Sequence, residues 1–133
     1  MAAGVFAEAL RKGLAACEAQ DVVRREVKQV LRLAADDITK ALGVETSLVY
    51  DPEAAALVAL VGIGQPGRKI AEVECGAAGY PVNVTFGGES GGEEHVVHDQ
   101  AEFERVLLKL LEHPVTGGTL QALVREECDR RTG

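Results

Sequence analysis

The stretch "GIGQPGRKIAEVEC", residues 62–75, decides the fold, because it supports two incompatible readings. Gly62, Gly64 and Gly67 match the G-x-G-x-x-G spacing of a dinucleotide-binding turn, and Glu89 follows 22 residues beyond the last glycine, where such a unit places its ribose-binding acid. That motif needs a helix directly behind the glycines, so that the helix N-terminus meets the pyrophosphate. The residues that follow have the wrong period. Ala71, Val73 and Cys75 alternate with Glu72 and Glu74, which is the period of two expected of a strand. The run before the next glycine cluster, "GAAG" at 76–79, is also short for a helical crossover, and Pro66 and Gly67 suit the two central positions of a type II turn. The stretch therefore reads as a hairpin. A nucleotide or small-ligand binding regulator built on Gly62, Gly64, Gly67 and Glu89 is the alternative.

Reading outward, the same period of two recurs between regularly spaced turn signals. "TSLVY" (46–50), "ALVALVGI" (56–63), "KIAEVEC" (69–75), "VNVTF" (82–86) and "EEHVVH" (93–98) are strands, joined by "DPEA", "QPGR", "GAAGYP" and "GGESGG". Five short strands with short turns predict an antiparallel meander. Asp51, Pro52 and Glu53 could also open a helix over 53–61, but the β-branched run there favours a strand. That strand is apolar on both faces, which predicts a central position covered on both sides by helices or by a second subunit.

The flanks have helical period. Val5, Phe6, Ala9, Leu10, Leu14 and Cys17 form one apolar stripe, and Val23, Val27, Val30, Leu31, Ala34, Ile38, Ala41 and Leu42 form a second, ended by Gly43. At 100° per residue the two stripes point about 70° apart, so a break near Gln20 is expected, with Asp21 as the cap of the second helix. After the strands, Asp99 and Glu102 match a capping box for a helix buried through Phe103, Val106, Leu107, Leu110 and Leu111. Thr116 can cap a last helix carrying Leu120, Leu123 and Val124, with "REECDRRTG" expected to fray. The fold class is α+β: a meander of about five strands flanked by two N-terminal and two C-terminal helices, in a single domain over 1–133. Its parts are a helical segment (1–43), the meander (44–98) and the C-terminal helices (99–133).

Composition narrows the chemistry. The 133 residues carry a net charge of −7, and residues 44–100 hold two Lys/Arg against nine Asp/Glu. Such a field repels duplex nucleic acid and anionic membranes and attracts a basic protein surface. Cys17, Cys75 and Cys128 are far apart and odd in number, as in a reduced, cytoplasmic chain. The N-terminus is interrupted by Glu8, Arg11 and Lys12, unlike a signal peptide or anchor, and the longest apolar run, "AAALVALVGIG", is too short to cross a bilayer as a helix.

Three polar groupings invite a chemical role. His95, His98 and Asp99 could hold a metal, but on a strand the two histidines point to opposite faces, and Asp99 is spoken for as a helix cap. Cys75 could pair with His95 or His98 as a nucleophile, yet an intervening strand separates them by about 9–10 Å and nothing basic in the sequence flanks the thiol. No catalytic residue and no cofactor is expected. The reading is a non-enzymatic protein–protein interaction module or small accessory subunit, a homo-oligomer or part of a hetero-complex. Its contact residues would be Val23, Val27, Val30, Leu31 and Ile38 on the helix and Glu72 and Glu74 on the sheet, and its partner another protein, itself or a larger complex.

Overall fold

Residues behind the glycines form a strand, not a helix. In the computed structural model, which describes residues 4–87 and 92–132, the elements are α1 (Val5–Leu42), β1 (Thr46–Asp51), β2 (Ala56–Val61), β3 (Arg68–Gly76), β4 (Gly79–Phe86), β5 (Glu93–Val97), α2 (Gln100–Glu112) and α3 (Pro114–Thr132). The sheet order is β1-β2-β3-β4-β5, and every neighbouring pair is antiparallel. The α+β class and the meander are therefore as expected, and residues 56–61 are strand. No helix among the described residues is long and apolar enough to cross a membrane.

One face of the sheet is apolar, and the helices cover it. Register aligns Leu48 with Ala59, Leu57 with Ala71, Val73 with Val84 and Val82 with Val97, and these side chains share one core with α1, α2 and α3. The opposite face carries Ser47, Val49, Glu72, Glu74, Glu94 and Val96, all exposed. The double-sided apolar character of β2 has a local cause. Loop 62–67 folds back over the open side of β2, so that a Cβ on Gly67 would come within 2.4 Å of Val58 Cγ1 and 3.0 Å of Leu60 Cγ. Helices cover one side of the strand, and its own hairpin loop covers part of the other.

That loop also corrects the expected type II turn. The positive φ angles fall at Gly62 (74°) and Gly64 (82°) rather than at Gly67. Gly67 serves by having no side chain where backbone passes over Val58, and the first two glycines serve by adopting the left-handed region.

The two N-terminal stripes run on as one helix of 38 residues, without the break expected at Gln20. No Gly or Pro lies between residues 14 and 42 to interrupt it, and Asp21 pairs with Arg24 at 3.7 Å instead of capping. Gln20 contributes directly, donating from Nε2 to the carbonyls of Gly76 and Ala77 at 3.0 and 3.1 Å and so fixing the helix to the β3–β4 turn. Gly79 completes that seat, since a Cβ there would lie 3.0 Å from the Ala19 carbonyl oxygen. Further along, Tyr80 donates its hydroxyl to Glu26 and Gln100 donates to the Glu26 carbonyl. Burial, then the adjacent Glu26 carboxylate, pushes the Tyr80 hydroxyl up to about 12.

At the C-terminal end, Asp99 caps α2 by accepting from Glu102 N at 2.8 Å, and the Glu102 carboxylate accepts from His98 N at 2.6 Å, one residue outside the expected box. Helix α3 starts at Pro114, with proline in the first turn, so Thr116 is not its cap but a buried residue within it. The charged tail is helical to Thr132 instead of frayed.

The core assignment gives a direct contrast between two leucines of α1. Leu31 is 1% exposed and Leu33 is 61% exposed. Leu31→Ala should lower unfolding free energy by about 2–5 kcal/mol, and Leu33→Ala should change it by less than about 0.5 kcal/mol. Urea titration of the two variants measures both.

Candidate functional site

The glycine loop is occupied by the chain itself. Glu127 of α3, 3% exposed at its side chain, lies directly against Gly62, where an added Cβ would sit 2.3 Å from the carboxylate carbon. Gln65 donates to one carboxylate oxygen, Arg131 Nε donates to the other at 3.1 Å, and Arg130 lies 3.2 Å away. Arg130 also donates to the Ile63 carbonyl, and Arg68 pairs with Glu126. Loop and last helix are thereby clamped through one buried carboxylate. The Gln65 amide and the Arg131 and Arg130 guanidinium groups hold that carboxyl below the ordinary range, against the opposing effect of desolvation.

This arrangement assigns the glycines of the G-x-G-x-x-G spacing to packing. The residues after Gly67 pair as a strand with β2 and β4, so the chain does not start a helix behind the glycines. A phosphate placed at Gly62 would meet the Glu127 carboxylate. Glu89, the fourth member of the ligand-binding alternative, lies outside the described residues. The missed residue had a visible signal. Leu120, Leu123, Val124 and Glu127 follow the i, i+3, i+4, i+7 pattern of one helix face, with a glutamate where the core calls for an apolar side chain.

The histidines are dispersed by the same sheet. His95 stacks on Phe86, with centroids 5.4 Å apart, and its Nε2 lies 3.2 Å from Glu93. His113 meets the same ring edge-on at 5.9 Å and accepts at Nδ1 from Val115 N. His98 is exposed and bonds Glu102, and Asp99 is the α2 cap. Among the described residues no three His, Cys, Asp or Glu side chains converge on a metal position. Cys75 is on β3, two strands from His95, and its thiol donates to the Gly79 carbonyl at 3.6 Å. Burial pushes that thiol up, away from the reactive thiolate, although Arg24 opposes the effect.

The expected contact stripe on α1 must be reassigned. Val23, Val27, Val30 and Leu31 are buried against the sheet and α2 and so are not free to meet a partner, and Ile38 is half-buried on the same core. A helix held along an apolar sheet face turns its best apolar stripe toward that face. Glu72 and Glu74 do lie on the open face, in an acidic band that continues to Glu94 through the register Glu72–Thr85–Glu94, and Lys69 pairs with Glu72 at 2.9 Å.

Exposed apolar side chains such as Leu33, Ile63 and Leu108 are scattered over the domain, and a run of them lies on the first part of α1. Residues 4–15 are exposed throughout, Phe6 at 83% and Leu10 at 63%. Phe6, Leu10 and Leu14 lie within one arc of about 80°, with Val5 at its margin next to Lys12 and with Glu8 and Arg11 on the other side. The stretch from Val5 to Glu18 is about 20 Å of helix at 1.5 Å per residue. Its stripe is turned about 70° from the one that faces the sheet, so a straight helix cannot bury both on the same surface. No family model matches this chain, and neither the curated proteins nor the solved structures compared with it gave a match.

The Glu127 clamp predicts a pH dependence with a definite sign. Its folded value lies below the ordinary 4.5, so the contribution is complete above the unfolded value and is lost as pH falls through the folded one. Glu127→Gln should therefore lower the thermal midpoint at neutral pH and flatten its decline on the acid side. Gly62→Ala should also destabilise, because it adds a clash with the carboxylate to a positive φ. Thermal unfolding from pH 3 to 7 tests both.

Proposed function

We propose that this chain is a non-enzymatic protein-interaction module, in the manner of a small accessory subunit, whose contact element is the overhanging first part of α1. The observation that carries the reading is the apolar arc of Val5, Phe6, Leu10 and Leu14 standing clear of the domain. An apolar surface left in water forgoes about 25 cal/mol for each Å² that a partner could cover. Contiguous exposed apolar surface on an otherwise well-packed chain marks a contact site. A helix of this kind docks by laying its i, i+3, i+4 anchors into an apolar groove or against a second amphipathic helix.

Two further features support the reading. The rest of the domain holds the helix at several points, Gln20 to the β3–β4 turn and Tyr80 and Gln100 to Glu26, so the overhang is presented in a defined direction. An isolated helix shorter than about 12–15 residues is marginal in water, and continuity with the anchored part of α1 offsets the nucleation cost. The acidic band of Glu72, Glu74 and Glu94 on the open sheet face favours a partner with a basic surface. A cytoplasmic setting agrees with the three free cysteines, of which Cys17 and Cys128 are exposed.

The test uses the double variant Phe6→Glu, Leu10→Glu. Both side chains are largely exposed, at 83% and 63%, so circular dichroism should give an unchanged thermal midpoint to within a few degrees. Association with the partner recovered from the native cell should fall by at least about a hundredfold, as expected for removing central apolar anchors worth about 2 kcal/mol or more each. Unaltered binding by the variant would place the contact elsewhere on the chain.

A further inference from the structure

Strand β1 is one edge of the sheet, and its hydrogen-bonding phase can be read directly. Gly62 N donates to Glu45 O at 2.8 Å, which makes Glu45 and Gly62 a hydrogen-bonded pair. Since pairs alternate along an antiparallel ladder, Ser47, Val49 and Asp51 turn their backbone groups toward β2, and Thr46, Leu48 and Tyr50 turn theirs outward. The outward groups of Thr46 are already satisfied. Thr39 Oγ1 accepts from Thr46 N at 3.0 Å and donates to Thr46 O at 3.2 Å. The N–H and C=O groups of Leu48 and Tyr50 have no partner among the described residues.

This edge lacks most of the usual protections. Exposed edges are blunted by Lys, Pro, inward charges, bulges or a covering helix. Strand β1, "TSLVYD", has none of the first four at its centre and pairs with β2 in unbroken register, and α1 closes on it by hydrogen bonds at Thr46 and leaves a groove beside the rest. The other edge, β5, starts with two glutamates and is one residue shorter. Beside β1 runs a groove of about 640 Å³ along α1, with Lys28 and Arg32 toward one end and Asp36 and Glu45 toward the other. The three-residue link from Leu42 to Thr46 turns α1 back over β1, so Asp36 and Glu45 flank the Thr46 end and Lys28 and Arg32 the Tyr50 end.

We propose that the β1 edge is a twofold homodimer interface, in which β1 of a second copy adds antiparallel to it. Only one register uses all four free groups of each copy: Leu48 opposite Tyr50 of the second copy and Tyr50 opposite its Leu48, with Val49 facing Val49 on the axis. That register sets Thr46, whose groups Thr39 has taken, against Pro52, which has no N–H to offer. A twofold axis also sets the acidic end of each groove beside the basic end of the other. A groove with one sign of charge at each end is self-complementary under that operation, and this is what favours a second copy over an unrelated extended segment. The proposal concerns a different surface from the α1 overhang and does not rest on it.

The experiment is sedimentation velocity of the full chain carrying Cys17→Ser and Cys128→Ser, from 1 to 100 µM. A dimer is expected, with its dissociation constant raised at least about tenfold by Val49→Lys, which sets like charges on the axis. The overhang variant Leu10→Glu should leave it unchanged. Val49 is 46% exposed on the open face, so the lysine is accommodated in the monomer. A second measurement fixes the register. Directly opposite residues of a non-hydrogen-bonded pair lie about 4.5 Å apart at Cα, within disulfide range. Val49→Cys should therefore form a covalent dimer on mild oxidation, and Ser47→Cys, which faces Asp51 of the second copy, should not. A monomer at 100 µM, a dimer indifferent to Val49→Lys, or equal cross-linking at 47 and 49 would overturn the proposal.

Discussion

A straight helix can bring only one arc of its surface against a flat partner, and most of this structure follows from how α1 meets that limit. Its buried side chains Val23, Val27, Val30, Leu31 and Ala35 lie on the sheet and α2, and that contact holds the helical layer in place. Toward the N-terminus the apolar arc drifts away, and the chain leaves the sheet instead of bending back to it. Kinking would require an interrupted ladder of backbone hydrogen bonds, and residues 14–42 contain no Gly or Pro to interrupt it. Residues 4–15 are exposed on every side of the helix, so the exposed stripe is a consequence of a long unbroken helix that runs past the sheet, with a hydrophobic pattern that also changes phase. The proposed function gives that surplus surface a use.

The sheet was legible because antiparallel strands with one solvated face write their orientation into alternation. Val73 with Glu72 and Glu74, and Val82 and Val84 with Asn83, are buried and half-buried or exposed in the expected order. The α2 cap at Asp99 and the left-handed end of α1 at Gly43 were equally legible, since both depend on a few adjacent residues. Long-range balances were not. Where α1 is seated depends on what Gln20 meets, and its amide meets the carbonyls of Gly76 and Ala77, more than fifty residues away. Likewise Val23, Val27, Val30 and Leu31 look the same in sequence whether a sheet or a partner covers them. Periodicity identifies a buried stripe without identifying the body that buries it.

The glycine spacing shows how one local pattern can arise from separate demands. Gly62 admits the Glu127 carboxylate, Gly64 supplies a left-handed turn, and Gly67 passes over Val58. None of the three needs a ligand. A nucleotide-binding turn uses its glycines for similar reasons, tight turning and close approach, and differs in what does the approaching. Here that group is a side chain of α3, and the charged residues near it are its counterions. The tail "REECDRRTG" looks like a solvated end because it is rich in both charges. It is helical because one of those charges, Glu127, is buried and partnered by Gln65, Arg130 and Arg131.

The two edges of the sheet carry the last contrast. A meander of five strands leaves an open edge on each side, and an open edge is a template for further pairing. At β5 the chain places Glu93 and Glu94, and a like-charged or desolvating neighbour is discouraged there. At β1 it places Thr39 over one end only, satisfying Thr46 and leaving the groups of Leu48 and Tyr50 directed outward. Full protection would have needed no more than a lysine at Val49 or a bulge against β2. Strand β2 does contain a register shift, but on its β3 side, and its pairing with β1 is regular from Thr46 to Asp51. The irregularity is thus kept away from the edge where flatness would matter for pairing, and the regular ladder is retained where the proposed second copy would extend it.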